Sequence, residues 1–69
     1  MRLDTLEQSE VAAARDLVNG ELAELFASLI FRNTDRSHIK TGLADAIAML
    51  ADAKARLQRV RAAFISRTA

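Results

Sequence analysis

The chain contains no cysteine, proline, tryptophan or tyrosine, and its 69 residues include only two glycines, one histidine and three phenylalanines. Each shortage removes a class of protein. Without Cys there are no disulfides and no thiolate metal centres, so stability has to come from helix packing or from another polypeptide. Without Pro, and with so little Gly, the chain lacks both helix breakers and the composition of a disordered linker. Without Trp and Tyr, few rings are left to stack on nucleobases. No apolar run approaches the roughly 20 residues of a membrane span. The first ten residues carry Asp4, Glu7 and Glu10 where a secretory leader would be basic and then apolar, so the expected setting is soluble and cytoplasmic.

The second half supplies the clearest pattern. Ile39, Leu43, Ala46, Leu50, Ala53, Leu57, Val60 and Phe64 recur at steps of four and three without a miss. This is a heptad seam with large residues at one position (Leu43, Leu50, Leu57, Phe64) and mostly smaller ones at the other (Ala46, Ala53, Val60). It predicts a long helix over about residues 37–67, built to be packed by other helices.

The first half predicts a helix over about residues 5–32. Asp4 or Thr5 can cap it, because Asp4 with Glu7 and Thr5 with Gln8 both have capping-box spacing. Its apolar stripe is Val11, Val18, Leu22, Leu25 and Leu29, with Ala14 and Leu17 alongside. Asn19-Gly20 is a turn signal inside that stripe, which keeps its phase from Val18 to Leu29; one helix is expected, with a bend or break at Gly20 left open. A polar turn over residues 33–36 follows, where Asn33 can adopt a left-handed cap and Thr34, Asp35 or Ser37 can start the next helix. So short a connection makes the helices antiparallel. The expected fold is all-α, a coiled-coil-like two-helix hairpin. A lone hairpin has a single helix–helix interface, so it is expected to complete a four-helix bundle, either as a homodimer or by docking on a larger helical protein.

Charge is divided between the halves. Residues 1–31 carry two bases and six acids, and residues 32–69 carry eight bases and three acids. Lys54, Arg56, Arg59, Arg61 and Arg67 form a basic helix end, which allows an alternative reading as a small dimeric RNA- or DNA-binding regulator. In architecture such a regulator would be similar to the four-helix dimer that controls plasmid copy number. The hairpin offers a plainer account, with Glu10 level with Arg59 and Arg61, and Asp16 level with Lys54.

Residues outside the seams are the candidates for partner binding. Ala44, Ala48, Ala51 and Ala55 line the back of helix two, and Phe26, Ile30, Phe31 and Ile47 lie toward the hairpin tip. Large apolar residues outside a seam mark interaction sites. Glu21 and Glu24 face a stretch of helix two without bases, leaving them for charges on another chain.

Catalysis has no basis in these residues. Asp35 and His38 have a metal-site spacing but sit at the turn, where capping and exposure are expected instead. Asp45 and Asp52 share a stripe with Arg59, and Asp52 with Arg56 has ion-pair spacing. There is no phosphate-binding glycine loop and no nucleophile beside a base. No catalytic, cofactor or metal residue is expected.

Residues from about Leu22 to Leu57 resemble the small helical-hairpin co-chaperones of the type III secretion needle subunit. The resemblance rests on chain length, on the turn Arg32-Asn33-Thr34-Asp35 and on the run Met49-Leu50-Ala51-Asp52-Ala53. Members of that bacterial family pair with a helical-repeat chaperone, and together the two keep the needle subunit soluble before export. The resemblance implies a non-enzymatic, chaperone-type hairpin whose apolar surface is covered by a larger helical partner.

Overall fold

The structure, a computed structural model, describes residues 2–32 and 35–69. These residues are all-helical: α1 (Thr5–Leu17), a π turn (Val18–Leu22), α2 (Ala23–Phe31) and α3 (Arg36–Thr68). The capping expected of Asn33 and Thr34 lies outside the described residues.

The starts of α1 and α3 each have a side-chain cap. Asp4 takes extended backbone, its carboxylate accepts the Glu7 N–H at 2.7 Å, and Glu7 accepts the Asp4 N–H at 2.9 Å. This is a complete capping box, and it settles the choice between Asp4 and Thr5. At α3 the Asp35 carboxylate accepts the Ser37 N–H at 2.8 Å. With no breaker after it, α3 then runs 33 residues, about 50 Å at 1.5 Å per residue, which is the long dimension of the molecule at 50 × 16 × 13 Å.

The helix does not stop at Asn19-Gly20. The junction residues Val18, Leu22 and Ala23 keep helical φ and ψ, and the backbone widens into one π turn. The reason lies in the inward row. Glu7, Ala14 and Leu22 are buried and Leu29 half-buried, at steps of seven, eight and seven. An eight-residue step in an α-helix would swing Leu22 about 80° away from α3, and a π turn takes up the extra residue and swings it back. The outer row Val11, Val18 and Phe26 has the same seven-then-eight spacing and is kept in line by the same turn. Neither packing nor backbone conformation requires glycine at position 20, since a Cβ there would meet nothing within 4 Å and no glycine takes positive φ.

Helix one packs antiparallel on α3. Arg67, near the end of α3, reaches Glu7 in the first turn of α1, and Gly42 lies against Leu25 and Leu29 of α2. The buried positions on α3 are small residues, Gly42, Ala46, Ala53 and Val60, and helix one buries Glu7, Ala14 and Leu22 against them. A Cβ at Gly42 would sit 2.8 Å from Leu29 Cδ2, so glycine is what admits the Leu29 side chain at this point. Leu22, 1% exposed, is the one large side chain wholly inside among the described residues.

This corrects the expected seam. Leu43, Leu50 and Leu57 were its large members, yet they remain 52%, 49% and 47% exposed, and only Phe64 among the four large residues is half-buried. The helices close on the Gly/Ala/Val row, and that approach leaves the Leu row at the side. Among the described residues no helix is long and apolar enough to cross a membrane.

Candidate functional site

Two flanks result from closing on small residues, and helical phase assigns each residue to one of them at about 100° per residue. On the first flank, α3 carries Asp52, Arg56, Arg59 and Arg67, and helix one carries Glu10 and Leu17, with Glu7 of the inward row reaching Arg67. Glu10 accepts from Arg59 Nη2 at 3.1 Å and from Arg56 Nη1 at 3.5 Å, while Arg56 also reaches Asp52 at 3.4 Å. These pairs are substantially exposed and each contributes little.

The pair at the open end differs in burial. The Glu7 side chain is only 5% exposed and accepts from Arg67 Nη2 at 2.5 Å and Nε at 3.4 Å. Arg67 Nη2 also donates to the Arg2 carbonyl at 2.8 Å, and its guanidinium carbon lies 5.0 Å from the centre of the Phe64 ring. The clamp ties the first turn of α1 to the last turn of α3. The Arg67 hydrogen bond and then the Asp4 amide hold the Glu7 carboxyl below its ordinary range against the opposing effect of burial, and the Glu7 hydrogen bond raises Arg67.

The second flank is apolar. Val18, Leu50, Ala53 and Leu57 line an open groove of about 450 Å³, with Lys54, Gln58 and Arg61 at its edge. A neighbouring hollow continues it across α1 through Val11, Ala14 and Arg15. Toward the tip, Leu43 and Ile47 extend the α3 side, and Phe26 and Ile30 extend the helix-one side; all four are exposed. Ala14 and Ala53, both buried, form the floor, so a third helix could lie close against it.

The expected partner-binding residues therefore separate. Phe26, Ile30 and Ile47 join the leucine flank. Phe31, 80% exposed, points away from it by phase, and Ala44, Ala48, Ala51 and Ala55 form a stripe on the outer back of α3, with the first three exposed and Ala55 half-buried. The residues that reading left out are Leu43, Leu50 and Leu57, because it spent them on the seam. The row Gly42, Ala46, Ala53 and Val60, spaced four, seven and seven, was the signal that the helices close on small residues.

The basic residues separate too. Arg56, Arg59 and Arg67 are held on the first flank by Glu10, Asp52 and Glu7, whereas Lys54 and Arg61 edge the groove on the second. The expected pairings of Lys54 with Asp16 and of Arg61 with Glu10 are not formed; Asp16 instead pairs with its neighbour Arg15 at 3.0 Å. The five bases make no single patch. At the turn, Asp35 is spent on capping and His38 is exposed. No family model, curated protein or solved structure matches the chain.

Proposed function

We propose that the protein is a non-enzymatic interaction module, a helical hairpin that acts by packing its leucine flank against other helices. The observation that carries this reading is the row Leu43, Leu50 and Leu57, each about half exposed beside Val18. Three large residues at heptad spacing on one helix are a packing surface in any α-helical protein.

Surface area supports the same reading. The chain exposes 5359 Å². A compact monomer of 7.6 kDa would expose roughly 4,300 Å², and the excess of about 1,100 Å² is somewhat more than the roughly 800 Å² that each partner contributes to a standard interface. The interior is correspondingly thin, with Leu22 the one large side chain wholly buried among the described residues. Covering the flank would complete a four-helix bundle, by a second copy or by a helical partner. The resemblance to needle-subunit co-chaperones makes a cytoplasmic chaperone or adaptor of a bacterial secretion system the narrowest form of the proposal.

The alternative of a nucleic-acid regulator is the weaker one, because three of its five bases are engaged by the chain's own carboxylates. The test is to measure helicity and binding to other helices, its own copies included, with and without Leu50→Asp and Leu57→Asp. Loss of association with helicity retained is expected. An unaltered association in the doubly substituted chain would overturn the proposal.

A further inference from the structure

The leucine flank carries charge of one sign only. Lys54 and Arg61 edge the groove, and Arg15 lines its continuation on α1. Stepping back along α3 by threes and fours from Lys54 through Leu50, Ile47 and Leu43 leads to Lys40 and Arg36, both exposed. No Asp or Glu occupies this flank on α3. On helix one the corresponding positions beyond the Asp4 cap are Gln8, Val11, Arg15, Val18, Phe26 and Ile30. Among the described residues no carboxylate lies within 4.0 Å of Lys54 or Arg61. Arg15 is bonded only to its exposed neighbour Asp16, which leaves its guanidinium able to turn to a third party at little cost.

We infer that the occupant of the groove is an amphipathic helix of another protein that carries Asp or Glu on both sides of its apolar stripe. The inference rests on the docking reading above and adds the chemistry of the partner. A second copy fits less well. Face-to-face packing would set each copy's Lys54 and Arg61 against a flank whose only charges are basic, while the copy's Glu7 and Glu10 remain bound on its other side. A lipid bilayer with anionic headgroups would satisfy the bases but not the shape. The surface is a channel with a floor of Ala14 and Ala53 between walls of larger side chains, which suits a cylinder rather than a plane.

The test uses the full chain and three synthetic helices with one identical leucine stripe, flanked by Glu, by Gln or by Lys. Two or three rim contacts at the strength of exposed ion pairs predict about a tenfold tighter complex with the Glu helix than with the Gln helix. The Lys helix should bind more weakly still, and added salt should erase the ranking. In the chain bearing Lys54→Glu and Arg61→Glu, the order of the Glu and Lys helices should reverse.

Equal binding of all three helices would overturn the acidic-partner inference and leave the docking reading intact. So would tight self-association through Leu50 and Leu57 that excludes the peptides. Binding to anionic vesicles with no binding to any helix would overturn both, as would a monomer that binds nothing.

Discussion

The two flanks of this hairpin are built from the same two helices and have opposite chemistry. On one, acids of helix one meet bases of α3, and the charges are consumed inside the molecule. On the other, leucines and valines stand half-exposed with bases beside them and no acids. The paired flank sets how the helices align: Glu7 with Arg67 and Glu10 with Arg59 fix antiparallel register from the open end inward. The leucine flank contributes little to that alignment. What separates them is the Gly42, Ala46, Ala53 and Val60 row, which lets the helices close without the large residues and so leaves those free.

The largest stability effect should come from the ground the flanks share. Leu22→Ala removes the one large side chain wholly buried among the described residues and should cost about 2–5 kcal/mol, enough to unfold much of the isolated chain in a denaturant titration. Leu50→Asp with Leu57→Asp should do the reverse. Association should fall at least about tenfold, as expected when central apolar anchors are lost, while far-ultraviolet circular dichroism stays near that of the parent.

Acid should act on the paired flank through Glu7. Glu7 titrates lower in the folded chain than in the unfolded one, whose ordinary value is 4.5, so its contribution is complete above that pH and is lost as pH falls through the lowered folded value. The thermal midpoint should therefore drop on acidification. Glu7→Gln should give a lower midpoint at neutral pH and a flatter dependence below it. The smallest effect is expected at Gly20, where a Cβ meets nothing within 4 Å; Gly20→Ala should stabilise by about 0.5–1 kcal/mol, read as a raised midpoint.

The helical content of this chain is legible in its sequence because its cues are local. The Asp4–Glu7 box, the Asp35 cap and the unbroken apolar periodicity each act within a few residues. The π turn was half visible. Asn19-Gly20 marked the place, and the seven, eight, seven spacing of Glu7, Ala14, Leu22 and Leu29 required an extra residue there, although Glu7 is a poor candidate for an inward row until Arg67 is placed beside it.

The candidate site was less legible for a physical reason. A heptad with Leu at one position and Ala at the other is compatible with closing on either row. The choice depends on which row helix one can approach, and Gly42 and Ala14 decide it only in three dimensions. Phe26, Ile30 and Ile47 stood out as candidates in the sequence because they fit no seam, and the structure leaves them exposed beside Leu43, Leu50 and Leu57, which the seam had claimed.

The most direct test of the central claim compares substitutions on the two flanks in one sedimentation and melting experiment with a leucine-striped helix as partner. Leu50→Asp with Leu57→Asp is predicted to abolish the complex and leave the hairpin helical. Glu10→Ala with Arg59→Ala is predicted to lower the midpoint slightly and leave the complex in place. A complex that survives the first pair and is lost with the second would contradict the assignment of the leucine flank as the interaction surface.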